Sequence, residues 1–173
     1  MSTTKVITGK VRLCYLHVFE PQTVLGGDKK KYSASVLISK DDKVTLKKVQ
    51  DAIKLAAENG KAKLGGKVPA NLKTPLRDGD IDREDDPNYA NCMFLNASSG
   101  LKPGVVDAEL NPIMDSEDFY SGCYGRVSVN FYAFNTNGNK GIACGLNNLQ
   151  KLADGERLVG GPTAEADFSD PLM

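Results

Sequence analysis

Tyr124, Arg126 and Tyr132 stand at even spacings in the most strand-like segment of the chain. On a β-strand such spacing brings side chains out on one face. Phe94 and Asn96 share a face of a second candidate strand, and Arg12 has the matching position in the first. Rings beside cations suit one kind of ligand. A base stacks on an aromatic ring for about 1–3 kcal/mol whatever its identity, and an Arg or Lys neutralises phosphate. A single-stranded nucleic acid offers exposed bases and a charged backbone together. Lys29, Lys30 and Lys31 are consecutive, and Lys61, Lys63, Lys67 and Lys73 follow, so the cationic track extends beyond the strands.

Other chemistries fit less well. Asp78, Asp80, Asp82, Glu84, Asp85 and Asp86 fall within nine residues, the alternative being a metal-dependent nuclease or phosphoesterase. As a calcium loop this stretch fails, with Arg83 at position six where Gly is needed and Tyr89 at position twelve where Glu is needed. It is expected to be an acidic surface loop, and no metal or cofactor is expected. Cys14, Cys92, Cys123 and Cys144 form no C-x-x-C pair. Cys14 and His17 are three apart, so a regular strand would send them to opposite faces. His17 is the only histidine, no G-x-S-x-G surrounds a serine, and no glycine-rich stretch ends in Gly-Lys-Ser/Thr. A catalytic role is therefore not expected.

The 173 residues carry 22 basic and 22 acidic side chains. That neutrality is a cancellation. Residues 1–73 hold 15 basic and 6 acidic groups, and residues 74–173 hold 7 and 16. Such halves predict an electropositive surface beside acidic loops or an acidic tail. No run of about 18 apolar residues is present. Met1 to Lys10 has no apolar stretch of a signal peptide, so reduced thiols and a cytoplasmic location are expected.

The elements that must position these groups follow from periodicity. Val6 to Val18 predicts a first strand ended by Pro21, with Val11, Leu13 and Tyr15 on one face. Lys31 to Ser39 predicts a second, with Leu37 breaking an otherwise polar face. Asp41 is the expected N-cap of a helix reaching about Asn59, whose stripe is Leu46, Val49, Ile53, Ala56 and Ala57, with Gly60 as its stop. Lys61 to Asn91 predicts a long loop. Further strands are expected over Asn91–Ala97, Val105-Val106, Ser121–Phe134 and Gly141–Leu146, with Asn137-Gly138 as a hairpin turn and one helical turn over Leu149–Leu152. The fold class is mainly β with one helix, an OB-fold-like five-stranded Greek-key barrel with long loops. Residues 1–160 form its domain. Residues 161–173 form a flexible acidic tail in which Glu165, Asp167 and Asp170 surround Phe168.

Several segments in order carry a resemblance. They are Arg12-Leu13-Cys14-Tyr15 with Phe19-Glu20-Pro21, Lys31-Tyr32-Ser33-Ala34-Ser35-Val36-Leu37-Ile38, Pro75-Leu76-Arg77-Asp78-Gly79-Asp80, and Pro103-Gly104-Val105-Val106-Asp107. Tyr120-Ser121-Gly122-Cys123-Tyr124 running into Val129-Asn130-Phe131-Tyr132-Ala133-Phe134 is the most telling. Over almost its whole length the chain resembles a family of bacteriophage single-stranded DNA-binding proteins with an OB-fold. It is similar to the replication DNA-binding proteins of short-tailed phages, which carry an acidic tail ending near an aromatic. The resemblance implies sequence-nonspecific binding of single-stranded DNA in phage replication, recombination or repair. It implies tail contacts with the phage polymerase or helicase, and a homodimer is considered. The expected DNA contacts are Arg12, Lys29, Lys30, Lys31, Phe94, Asn96, Tyr124, Arg126 and Tyr132. The expected partner contacts are Glu165, Asp167, Phe168 and Asp170.

Overall fold

A computed structural model describes residues 4–23, 30–69, 72–136 and 139–156. Among the described residues there are eight strands rather than five: β1 (Lys5–Ile7), β2 (Val11–Thr23), β3 (Lys30–Ser39), β4 (Leu76–Asp78), β5 (Cys92–Ser99), β6 (Gly104–Val106), β7 (Tyr124–Thr136) and β8 (Asn139–Ala153). The expected five survive as a ring. β2 pairs with β3, β3 with β5, β5 with β8, β8 with β7, and β7 with β2. This is an OB-type closure in Greek-key order. The three extra strands have three residues each and lie along β7, β5 and β8. β6 contains the short strand expected at Val105-Val106; β1 and β4 are too short to give a periodicity of their own, which is why the sequence pattern does not separate them.

The β7–β8 hairpin is the longest pairing, from Tyr124↔Ala153 to Thr136↔Asn139. The turn expected at Asn137-Gly138 lies outside the described residues. β8 runs straight through Leu149–Leu152, so the helical turn expected there is a strand. β2 likewise continues past Pro21. Its partner there is β3, in a stretch of shifted register, where a missing N–H is tolerated.

Helix α1 (Lys43–Asn59) caps the barrel. Its N-cap is Asp42, one residue later than expected, and that carboxylate accepts from the Thr45 N–H at 3.2 Å. The buried stripe contains Leu46, Val49, Ile53, Ala56 and Ala57 as the spacing predicts, and adds Thr45 and Ala52. Gly60 closes the helix by donating its N–H to the Ala56 carbonyl. The interior holds Leu13, Val36, Ile38, Leu95, Val127, Val129, Phe131 and Leu149, the inward sides of the five ring strands.

The segment 61–91 is not a structureless loop. It contains β4, the short helix α2 (Gly79–Asp82) and a 3-10 turn over Pro87–Tyr89. Asp78 and Asp86 act as N-caps for the last two. Gly79 has a positional reason: a Cβ there would lie 2.4 Å from the Tyr89 carbonyl oxygen and 2.8 Å from that of Cys92. Only a bare Cα lets the segment turn back over β5.

Candidate nucleic-acid interface

Residues paired across antiparallel strands share a face. One row crosses the outside of the sheet as Tyr124, Arg12, Leu37, Phe94 and Arg77. A second row is Cys14, Ser35 and Asn96, and a third is His17, Ser33 and Ser98. Alternation along β3 puts Lys31 on the same side. Arg12, Asn96, Tyr124 and Lys31, four of the expected contacts, therefore share one continuous outer face.

Around Tyr124 the geometry is cationic. The Lys10 ammonium lies 5.4 Å and the Arg12 guanidinium 5.7 Å from its ring centroid. Arg12 also donates to the Gly122 and Glu156 carbonyls, at 3.4 and 3.0 Å, which fixes its reach. Lys151 pairs with Asp154 at 2.6 Å, and the Tyr120 hydroxyl donates to the same carboxylate. These bonds hold residues 153–156 beside Arg12. The Lys151 hydrogen bond leads in holding the Asp154 carboxyl below the usual carboxylate range.

One expectation changes here. Phe94 faces outward as its spacing predicts, but it is buried, with only 1% exposed. Tyr89 covers it edge-on, with ring centroids 5.0 Å apart. Phe94 is thus a second-core residue and not an open stacking surface. The same lid explains why Leu37 interrupts a polar face: Cys14, Leu37, Tyr89 and Phe94 form a small apolar cluster outside the barrel. The Tyr89 oxygen accepts from the Cys14 thiol at 3.5 Å and lies 2.9 Å from Ser35 Oγ. Burial raises both the Cys14 and the Tyr89 pKa.

Tyr132 keeps its outward orientation and is exposed. It stands eight residues from Tyr124, about 26 Å along the strand, and so is not part of the same cluster. Arg126 is exposed and donates to Gln150 Oε1 at 2.8 Å. Lys30 and Lys31 are exposed at the start of β3. Lys29 and the whole tail, with Glu165, Asp167, Phe168 and Asp170, lie outside the described residues, as does the 160/161 boundary.

Sequence reasoning missed Tyr15 and Arg83. Between Cys14↔Ser35 and His17↔Ser33, three residues of β2 span two of β3. This bulge reverses the alternation. Cys14 and His17 come to the same face despite their odd spacing. Tyr15 leaves the inward face shared by Val11 and Leu13 and is 45% exposed. Its φ of 49° is left-handed, a conformation that costs a non-glycine residue about 1–3 kcal/mol. Arg83, from the acidic segment, lies 5.8 Å from the Tyr15 ring, 5.4 Å from Tyr89 and 5.9 Å from Phe94. A run of acids hides such an arginine from any reading by local charge.

Three of the six acidic residues, Asp78, Asp80 and Asp86, have structural partners. Lys40 Nζ binds Asp78 at 2.8 Å and Asp80 at 2.7 Å. Asp80 also accepts from the Asn91 N–H at 3.0 Å. The Lys40 hydrogen bond, then that of Asn91, lowers the Asp80 pKa. A lowered folded-state pKa stabilises above the ordinary carboxylate range, and the benefit is lost as pH falls through the folded value. We expect Asp80→Asn to lower the thermal midpoint slightly at neutral pH, the side chains being exposed. Melting curves of both proteins should converge in acid; a constant gap would assign the effect to something other than the charge.

Comparison with known proteins adds independent findings. The sequence model of a family described as "Enterobacter phage Enc34, ssDNA-binding protein" matches residues 4–172. A putative protein p50 of Acyrthosiphon pisum secondary endosymbiont phage 1 is 31% identical over 175 residues, covering 97% of this chain and 94% of its own. Among solved structures, the single-stranded DNA-binding protein of bacteriophage Enc34 in complex with ssDNA superposes with a TM-score of 0.81, at 25% identity over 90% of each chain. The single-stranded DNA-binding protein gp2.5 of bacteriophage T7 shares the fold, with a TM-score of 0.66 at 13% identity over 95% of this chain and 93% of that one.

Proposed function

From the premise that the chain belongs to the Enc34 single-stranded DNA-binding protein family, we propose that it binds single-stranded DNA without sequence preference and without catalysis, in phage replication, recombination or repair. The observation that carries the reading is the outer sheet face on which Lys10 and Arg12 lie 5.4 and 5.7 Å from the centre of the Tyr124 ring. A ring beside two cations meets a base and its adjoining phosphates together. Arg126, Asn96, Lys30 and Lys31 extend the contact along β7, β5 and β3, with Lys29 beside them in sequence. Tyr132 adds a second, separate stacking position. Asp78, Asp80 and Asp86 are engaged in ion pairs and caps, which favours binding over a nuclease built on that segment.

The reading assigns residues 161–173 to a tail that docks the phage polymerase or helicase, with Phe168 as anchor among Glu165, Asp167 and Asp170, and that competes weakly with DNA. Support for the competition comes from residues 153–156, which end beside Arg12. Action in the host cytoplasm and as a homodimer belongs to the same proposal. Among the described residues no helix is long and apolar enough to cross a membrane.

The test is fluorescence anisotropy with oligo-dT and duplex at two salt concentrations, on the full chain and on one ending at residue 161. Oligo-dT should bind far more tightly than duplex. Affinity should fall steeply with salt, with a log–log slope of about −0.7 per phosphate contacted. The shortened chain should bind more tightly at low salt. Equal affinity for both nucleic acids would refute the function, and unchanged affinity on shortening would refute competition by the tail.

A further inference from the structure

Tyr15 occupies a costly backbone conformation with its ring half in solvent. Its φ of 49° belongs to the region where glycine is favoured. The chain holds a tyrosine there, and the bulge that produces it turns the side chain out of the barrel. Strain held at a bulge beside a ligand face is a recognised mark of function. Here it delivers one ring to one place.

That place is already furnished. Arg83 reaches across from the segment after α2 and lies over Tyr15, Tyr89 and Phe94 at 5.4 to 5.9 Å. Four acidic neighbours in sequence, Asp82, Glu84, Asp85 and Asp86, would be the obvious partners, yet Arg83 makes no ion pair among the described residues. The three rings form a series from closed to open. Phe94 and Tyr89 are buried, Tyr89 and Tyr15 lie 6.4 Å apart with a 34° tilt, and Tyr15 is the member in solvent. A series of rings with an unpaired guanidinium alongside ends in an unfilled step.

We propose that Tyr15 and Arg83 form a base-and-phosphate subsite for one unpaired nucleotide, the Tyr15 ring taking the base and the Arg83 guanidinium the adjoining phosphate. This rests on the single-stranded DNA reading and deepens it. The subsite lies beyond Cys14 from the Tyr124 cluster along β2, on the same outer face. Arg12 and Tyr124 thus begin a path that Tyr15 and Arg83 continue. A base must leave its pair to lie on Tyr15, so the subsite favours single strands over duplex.

The chain contains no tryptophan, which makes a clean reporter available. In full-length Tyr15→Trp, stacking of a thymine should quench the only indole emission on addition of oligo-dT. The signal should saturate at the concentration where anisotropy saturates. Tyr15→Gly fits the left-handed backbone, so it separates binding from folding. It should keep the thermal midpoint and lower oligo-dT affinity about 5- to 150-fold, the range set by one stacked base. Arg83→Ala should reduce the magnitude of the salt slope by about 0.7.

Saturating anisotropy with no change in the indole emission of Tyr15→Trp would overturn the subsite while leaving DNA binding intact. Wild-type affinity in Tyr15→Gly would overturn it as well, as would a wild-type salt slope in Arg83→Ala. Absence of any anisotropy change in the wild-type protein would instead remove the reading on which the subsite rests.

Discussion

Tyr124→Ala should weaken oligo-dT binding by about 5- to 150-fold, the largest affinity effect expected from one substitution in the Lys10–Arg12–Tyr124 cluster. One base stacked on a ring contributes about 1–3 kcal/mol, and each 1.4 kcal/mol is about tenfold. Tyr124→Phe should retain most of the affinity, because the ring and its flanking cations remain. The salt slope should be the same in all three proteins, since no phosphate contact is removed. Tyr124 packs against Gly155, whose added Cβ would lie 3.0 Å from the ring, so the thermal midpoint is measured alongside. Retained affinity in a folded Tyr124→Ala protein would remove Tyr124 from the interface.

The second large effect concerns stability. Tyr89→Ala should cost about 3–5 kcal/mol, the usual penalty for deleting a buried aromatic. Tyr89 is completely buried. It covers Phe94 and Leu37, and its hydroxyl is bonded to Cys14 and lies beside Ser35. In a protein of this size each kcal/mol moves the midpoint by about 2–4 °C, so a fall of roughly 6–20 °C is expected. Tyr89→Phe keeps the packing and loses the hydrogen bonds, at about 1–3 kcal/mol. Differential scanning calorimetry separates the two. A midpoint within about 2 °C of wild type in Tyr89→Ala, what a loss of about 1 kcal/mol would give, would mean that the 79–90 segment is not integral to the fold.

Much of this architecture was legible from periodicity. The α1 stripe, the β7 face and the pairing of β7 with β8 follow from side-chain spacing, because each is decided by local rules. What stayed hidden depends on long-range placement. Burial of Phe94 requires knowing that Tyr89, five residues earlier but across a 3-10 turn, folds back over it. Leu37 was the visible trace of that lid, an apolar residue on a polar face with no partner in its own strand. Exposure of Tyr15 requires a bulge that no residue type at positions 14–17 announces. Arg83 was masked by the acids around it. The one-residue error in the α1 cap has a simpler origin, since Asp41 and Asp42 are both suitable and only the Thr45 N–H chooses between them.

The barrel is sealed by the pairing of β2 with β7, which joins Val11 to Gly125 and Arg12 to Tyr124. β1 joins the same strand, with Val6 opposite Val129. More than a hundred residues must emerge from the ribosome before these first-made strands find their partners. Through that interval β2, β3, β5 and β4 can assemble only as an open sheet, with the far edge of β2 unpaired. Non-local closure of this kind is slow, and open edges invite pairing with other chains. The late arrival of the β7–β8 hairpin therefore sets the pace of maturation, and the interval before it is when a growing chain is most exposed to aggregation.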